Sequence, residues 1–212
     1  MRLCRRSEGY KQILRILIWE RIEMSNIYEQ CPVLENERWL MRFVKEEDSE
    51  DLLKVYGDKQ ALPFFNSDNC HEDNFYYDTK EKMDNAIRFW LESYEGKWFV
   101  RLVIIDKHIA KAIGTIEMFH RPSDDEFDGD GLIRLDVRSD YEKSDELQEI
   151  FALLIPEAYD LLDCEEIITK IPLYAVERID AAKKFGFEKS DRFLVGGEDH
   201  YAYKNYWAIR KK

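Results

Sequence analysis

Four charged side chains fall within strand-like segments that are otherwise apolar. In GLIRLDV, residues 131–137, Arg134 and Asp136 share one face because side chains alternate along a strand. Glu117 lies in the preceding segment AIGTIEMF, and Arg101 lies in the one before that. A carboxylate there can act as a general base if it reaches an amine directly or through one water. Glu117 and Asp136 are therefore candidate catalytic bases; the alternative is an internal salt-bridge network.

The segment RSDYEKSDEL, residues 138–147, leads from that strand into a helical segment. A helix start has unpaired backbone N–H groups and partial positive charge, so it commonly receives phosphate or another anion. Loops that bind phosphate in this way usually contain glycine, which lets the backbone come close. This loop has no glycine and places Asp145 and Glu146 in the first turn. Either the helix end is capped from within, or its ligand is unusual.

A long segment without helical periodicity, KQALPFFNSDNCHEDNFYYDT, covers residues 59–79. Loops of this length in compact domains often carry function. Its side chains either line a ligand pocket or form a plain packed loop, and its acidic members would suit a cationic amine. The candidate pocket residues are Phe65, Asn66, Asp68, Asn69 and Tyr76.

Composition and charge narrow the class of partner. The chain has 212 residues, of which 45% are hydrophobic and 36% charged, and this suits a globular domain with a sizeable core. Residues 24–212 hold 26 basic and 41 acidic residues. This acidic balance argues against nucleic acid or an anionic membrane as the main partner, and favours small cationic molecules or basic protein segments.

The cysteines and histidines show neither a disulfide nor a metal-binding pattern. The four histidines share no ligand spacing, and the cysteines stand at wide, unrelated spacings. We therefore predict free thiols in a reducing compartment, the cytoplasm, and no metal site. The cysteines are Cys4, Cys31, Cys70 and Cys164.

Residues 1–23 are basic and need separate treatment. The apolar run within ILRILIWERI is too short to span a bilayer, and no signal-peptide cleavage site follows it. A basic amphipathic helix that rests on a membrane is one interpretation. The other is that translation begins at Met24. Residues 1–23 would then be a non-native extension, disordered or helical, and residues 24–212 a single domain.

Apolar periodicity predicts the elements that position these residues. Alternation predicts a final hairpin, formed by RFLV and HYAYKNYWAI, and strands over 37–44, 98–106, 110–119, 131–137 and 165–171. Helical spacing predicts four helices, which begin near Ser49, Lys80, Ser144 and Ala175. Glycines at 57, 96 and 186 mark three of their ends.

The order of the elements predicts the fold class. The predicted order is a strand, two helices, three strands, a helix, a strand, a helix and two strands. Such an order implies a mixed α/β (α+β) domain. We expect one mostly antiparallel sheet of about seven strands with helices on both faces. The late aromatic run fits either sheet packing or a homodimer surface; it consists of Tyr201, Tyr203, Tyr206 and Trp207.

Three segments accompany this order of elements: AIGTIEMF, the strand LDV running into a helix, and KKFGFEKS closing the fourth helix. Together with the order, they resemble the GCN5-related N-acetyltransferase (GNAT) superfamily over residues 37–211. The resemblance implies that acyl-coenzyme A lies with its pantetheine arm along the strand before the third helix. Backbone N–H groups at the helix start would hold its pyrophosphate. An amine then attacks the thioester, helped by a general base and often by a tyrosine acid.

The resemblance extends to individual positions of the acyl-CoA loop. The family loop resembles V-x-P-x-[YF]-[RQ]-G-x-G-x-[GA]. Here Val137 and Tyr141 match, whereas Lys143, Asp145 and Leu147 occupy the three places of small residues. The residues implied to bind the cofactor are Leu135, Val137, Arg138, Tyr141, Lys143, Ser144 and Asp145.

The fourth helix departs from the family pattern N-x-x-A-x-x-x-Y-x-x-x-GF, because Ala175 stands at the Asn place and Ala182 at the Tyr place. The resemblance implies an acyl-CoA-dependent N-acyltransferase, with acetyl-CoA as co-substrate and a small amine or a protein amino group as acceptor. The alternative is a GNAT-fold module that no longer catalyses and binds a ligand or partner. The implied substrate-binding residues are Phe65, Asn66, Asp68, Tyr76 and Arg134.

Overall fold

A computed structural model of the chain describes residues 27–70, 73–197 and 199–212. The predicted extension, residues 1–23, lies outside these ranges, as do Met24, Cys4 and His71. The described ranges form ten strands and four α-helices. The strands are β1 (Leu34–Glu35), β2 (Trp39–Phe43), β3 (Val100–Asp106), β4 (Lys111–Arg121), β5 (Asp130–Val137), β6 (Glu166–Lys170), β7 (Glu188–Lys189), β8 (Leu194–Val195), β9 (Ala202–Tyr203) and β10 (Tyr206–Arg210). The helices are α1 (Ser49–Tyr56), α2 (Lys80–Glu95), α3 (Ser144–Leu161) and α4 (Val176–Phe185).

Most helix ends follow the local signals in the sequence. Thr79 caps the start of α2, where its hydroxyl accepts a hydrogen bond from the Lys82 backbone N–H at 3.3 Å. Gly57 and Gly96 follow the last residues of α1 and α2. Gly186 ends α4 with a φ of 114°, a left-handed conformation that glycine adopts without steric cost. The predicted helix ends at these three glycines are confirmed.

Eight strands form one sheet in the order β1-β2-β3-β4-β5-β6-β10-β7. The β5–β6 pair is parallel and the other neighbouring pairs of this sheet are antiparallel. The predicted α/β class with a mostly antiparallel sheet is confirmed. The sheet has eight strands instead of about seven because the two-residue strands β1 and β7 join its edges.

The C-terminal strands differ from the predicted closing hairpin. β8 and β9 pair with each other in a separate two-stranded sheet, whereas β10 joins the main sheet between β6 and β7. Burial explains the difference, because Tyr206 and Trp207 at the start of β10 are buried, while Tyr201 before β9 is 64% exposed. The aromatic residues of β10 therefore serve sheet packing.

Helices cover both faces of the sheet, as predicted. On one face α3 and α4 pack against β5, and on the other face α1 and α2 pack against β3 and β4. The first layer includes Ile133, Leu135, Leu147, Ile150 and Phe151. The second includes Leu52, Val55, Met83, Ile87 and Val103. Within the described ranges, no helix is both long and apolar enough to cross a bilayer.

β5 and β6 pair over three residues only, from Gly131–Ile167 to Ile133–Thr169. β5 continues to Val137, still paired with β4 on its other side. The backbone of Leu135 therefore faces a gap on the β6 side, and this gap leads to the start of α3. We call the gap beside residues 134–137 the β5 cleft.

Asp130 and Glu166 begin the two parallel strands and lie next to each other. Glu166 accepts hydrogen bonds from Arg192 and from Arg210, the latter at 2.9 Å. Burial raises the pKa of Asp130 to about 6, and the Glu166 carboxylate adds to this rise. Because the folded-state pKa lies above the unfolded value of about 3.9, this group stabilises the fold most below that value. The stabilisation is lost as the pH rises through about 6.

We expect Asp130→Asn to raise the melting temperature more at pH 7.5 than at pH 4.5. The amide replaces a carboxylate whose charged form is disfavoured in the folded state by burial and by Glu166. Differential scanning calorimetry at both pH values measures this. Asp163→Asn, at an exposed turn residue, is the matched control and should shift the melting temperature equally at both. An equal shift for Asp130→Asn would contradict the assignment.

Candidate functional site

Three charged residues lie side by side across the middle of the sheet. The strand register pairs Arg101 with Glu117 and Glu117 with Arg134. Arg134 Nη1 donates to Glu117 Oε1 at 2.6 Å, and Arg101 Nη2 donates to Glu117 Oε2. All three are buried. The structure thus brings together the charged cluster that strand alternation indicated, with one carboxylate shared by two guanidinium groups.

Asp136 joins the same cluster two residue pairs along the ladder, where it lies opposite Thr115. Its Oδ2 accepts from Tyr56 Oη at 3.0 Å and from Arg101 Nη1 at 3.3 Å. Tyr56 Oη also lies 2.6 Å from Thr115 Oγ1. The other carboxylate oxygen, Oδ1, has no hydrogen-bond partner among the described residues. Asp136 is fully buried, so its carboxylate is enclosed with one oxygen unused.

Burial and neighbouring charges move the two carboxyl groups in opposite directions. Burial alone would raise the pKa of Glu117, but the attraction of Arg134 and Arg101 outweighs it and holds the pKa below its ordinary value. Burial raises the pKa of Asp136, and Arg101 opposes this only in part. Glu117 is therefore a stable anion with both oxygens engaged, whereas burial favours the protonated form of Asp136.

The loop before α2 adds a third acidic residue, Asp68, to this network. Arg134 Nη2 donates to the backbone oxygen of Asp68 at 2.9 Å. The Asp68 carboxylate accepts from Lys170 and, at 3.1 Å, from Tyr206 Oη. Asp68 is therefore neutralised by a cation of the protein itself. Of the other residues predicted from this loop, Phe65 and Asn66 are buried and Tyr76 is half-buried.

An open cavity of about 480 Å³ lies beside Arg134, between the β4–β5 ends and the β8–β9 hairpin. Arg134 and Asn69 are the predicted residues that line it, and they share the wall with Phe119, Leu132 and His200. The cavity therefore reaches the buried charged network from the surface. Phe65, Asn66, Asp68 and Tyr76 are not among its described lining residues.

The start of α3 is capped by α4. The Ser144 backbone N–H donates to Glu177 Oε2 at 2.8 Å, and Ser144 Oγ donates to Asp180 Oδ2 at 2.5 Å. Asp145 is exposed, and Glu146 pairs with Arg38 at 2.6 Å. A carboxylate of the protein thus occupies a position that a helix start offers to an anion. No local signal predicts the contact with Glu177, because this residue follows Ser144 by 33 residues.

Arg178 fills the β5 cleft. Its Nε and Nη2 donate to Glu142 Oε1 and Oε2 at 2.7 and 2.6 Å. Its Nη1 donates to the backbone oxygens of Leu135 at 2.8 Å and Phe64 at 3.1 Å. Arg178 is only 3% exposed. One side chain therefore ties together β5, the loop before α3, the α1–α2 loop and α4.

A second contact closes the outer part of the β5 cleft. Tyr174 Oη donates to the backbone oxygen of Pro63, and the Tyr174 ring lies 6.0 Å from the Phe64 ring. A surface cavity of about 310 Å³ remains here, with Ser139 and Glu177 in its wall. The α1–α2 loop is thus held to the segment before α4 at two points.

Most of the residues that the resemblance assigned to a cofactor make contacts within the protein instead. Leu135 offers its backbone oxygen to Arg178, and Val137 is buried. Arg138 pairs with Asp140 at 2.6 Å, and Tyr141 Oη donates to Asp106 at 3.0 Å. Lys143 is exposed, and Ser144 is bound to α4 as described. In this conformation the Leu135 carbonyl and the Ser144 N–H, which the resemblance assigns to the donor, are bonded to side chains of α4.

Comparisons with known proteins identify similar folds. The sequence matches no family model, and no curated protein sequence matches it. A GNAT-family acetyltransferase from Bacillus anthracis is 15% identical, with a TM-score of 0.61 over 84% of this chain and 98% of that chain. Ribosomal-protein-S5-alanine acetyltransferase from Vibrio fischeri is 16% identical, with a TM-score of 0.61 over 85% and 96%. Spermidine N-acetyltransferase from Vibrio cholerae, in complex with CoA and spermine, is 11% identical, with a TM-score of 0.57 over 82% and 96%.

We expect Glu117→Gln to destabilise the fold by about 3 to 5 kcal/mol, because it leaves two buried guanidinium groups without their shared anion. Asp136→Asn should cost less, since burial already favours the neutral form of that side chain. Urea denaturation at pH 7 measures both. Asp78→Asn, in the exposed pair with Lys82, should leave the midpoint nearly unchanged. Equal losses for the two buried variants would contradict this distinction.

Proposed function

The chain has the fold of the GCN5-related N-acetyltransferases, and from this premise we propose that it is an acyl-CoA-dependent N-acyltransferase. The donor is acetyl-CoA, and the acceptor is the amino group of a small molecule or a protein. The β5 cleft carries the proposal. It opens where β5 leaves β6, and it runs from the carbonyl of Leu135 to the start of α3. The resemblance assigns this path to the pantetheine arm.

The second support is the cavity beside Arg134. It opens beside Arg134, so an acceptor bound in it would lie next to the charged network. A reacting amine must lose a proton, and Asp136 is the better acceptor of the two candidate bases. Its pKa is raised and its Oδ1 is unused, whereas both oxygens of Glu117 are engaged. We therefore assign the base to Asp136 and a positioning role to Glu117.

The free thiols agree with the proposed compartment. Cys31, Cys70 and Cys164 are all unpaired in the described chain. Burial raises the pKa of the Cys70 thiol to about 11, so this thiol is a poor nucleophile despite its position near the network. We therefore place the activity in a reducing compartment, the cytoplasm, and assign no cysteine a covalent role.

One observation favours a second candidate, a ligand- or protein-binding module without catalysis. The contacts that a donor would need at Leu135 and Ser144 are made by Arg178 and Glu177. A chain that had lost its acyl donor would keep the fold and fill the vacated space in this way. The two candidates differ in one measurable property, which is binding of acetyl-CoA.

Isothermal titration calorimetry with acetyl-CoA, followed by an assay of CoA release with spermidine or a peptide amine as acceptor, tests the proposal. We expect heat of binding and release of CoA that depends on the amine. A folded protein that neither binds millimolar acetyl-CoA nor gains thermal stability from it would support the binding module instead, because a ligand of the folded state must raise its stability.

We expect Glu177→Gln to tighten acetyl-CoA binding by about two- to fivefold at low salt, which is the usual worth of one charge at a helix start. The effect should shrink at high salt because Glu177 is exposed. Glu157→Gln, an exposed position further along α3, is the control and should leave the dissociation constant unchanged. Weaker binding by Glu177→Gln would show that this carboxylate assists the donor.

A further inference from the structure

The Arg178–Glu142 pair lies where a donor would have to lie, although the fold offers a cleft for one. We propose that this ion pair is an internal gate of the β5 cleft, closed in the ligand-free protein and parted when the donor binds. The inference rests on the proposed function and concerns the regulation of the same site. It differs from a permanent filling of the cleft, because a gate opens without loss of the fold.

The guanidinium group competes for the acceptors that a pantetheine arm needs. That arm carries amide N–H donors, and the free acceptors along the β5 cleft are backbone carbonyls. Arg178 Nη1 already donates to two of them, on Leu135 and Phe64. A carbonyl oxygen can accept two hydrogen bonds, so the competition is for space, because the buried guanidinium group occupies the volume beside these two oxygens. The arm can enter that volume only when the guanidinium group leaves it.

Glu142 holds the gate in its closed position. Two parallel N–H···O bonds join Arg178 to its carboxylate, and their side chains are 3% and 5% exposed. Such bidentate pairs have a fixed geometry. Opening separates two charges in a buried place, so the closed form is favoured in the absence of ligand. The apparent affinity for a donor falls in proportion to the fraction of open molecules.

The segment that carries the gate packs into the core through Ala175, whereas its larger apolar side chains are exposed. Arg178 lies in the first turn of α4. The residues just before it expose large apolar side chains, with Leu173 at 61%, Tyr174 at 60% and Val176 at 71% exposed. The contacts of Tyr174 with Pro63 and Phe64 bind the same segment to the α1–α2 loop. This loop and the start of α4 thus form the two sides of the gate.

The double variant Arg178→Ala with Glu142→Gln removes the gate without leaving a buried charge unpaired. We expect the dissociation constant for acetyl-CoA, measured by calorimetry, to fall at least tenfold relative to the unchanged protein. The matched control is Arg42→Ala with Asp48→Asn. This removes another bidentate pair, with bonds of 2.7 and 2.8 Å, that lies on β2 and the turn before α1. The control should leave the dissociation constant unchanged, and circular dichroism verifies that both variants fold.

The outcomes separate the gate from the proposed function. Tighter binding by the gate variant alone supports both. Equal binding by the gate variant and the unchanged protein overturns the gate while the acyltransferase proposal stands. Weaker binding by the gate variant also overturns it, since Arg178 would then be a ligand of the donor. If a folded gate variant binds no acetyl-CoA at millimolar concentration, the gate and the donor assignment both fail.

Discussion

The need to pair charges inside the sheet is the constraint on which the rest of the structure depends. Glu117 lies between Arg101 and Arg134, with all three buried, and each guanidinium group has further donors to satisfy. Arg101 donates a hydrogen bond to Tyr56 Oη of α1, and Arg134 donates one to the backbone oxygen of Asp68 in the long loop. The positions of α1 and of this loop over the sheet therefore follow from the polar contacts as much as from apolar packing.

The sequence predicted the parts of the molecule that depend on neighbours along the chain. Alternation and helical spacing located most strands and the helices, and alternation placed Arg134 and Asp136 on one face. The pairing of Arg178 with Glu142 was missed, because their contact joins residues 36 apart through the fold. The separate β8–β9 sheet was missed for a similar reason, since the burial of Tyr206 and Trp207 against distant strands decides which strand joins the main sheet.

The substitutions in the loop before α3 acquire a common explanation in the structure. Leu147, at a place where the resembled family has a small residue, is completely buried against β5. Glu142, at a place where that family has Arg or Gln, supplies the anion for Arg178. Ser144 receives its cap from α4 instead of from a ligand. Where the resembled family would contact an external anion, this loop contacts its own fourth helix.

The short parallel pairing of β5 with β6 has a consequence for how the chain folds. Strands β3 to β5 pair with neighbours close in sequence, and such local pairing forms early. β2 joins this group through a longer-range pairing with β3. Strands β6, β10 and β7 make a second group, joined to the first through only three residue pairs. The seam between these groups is the natural boundary for partial opening. Amide hydrogens on either side of it would exchange as two cooperative units, with the cleft at their border.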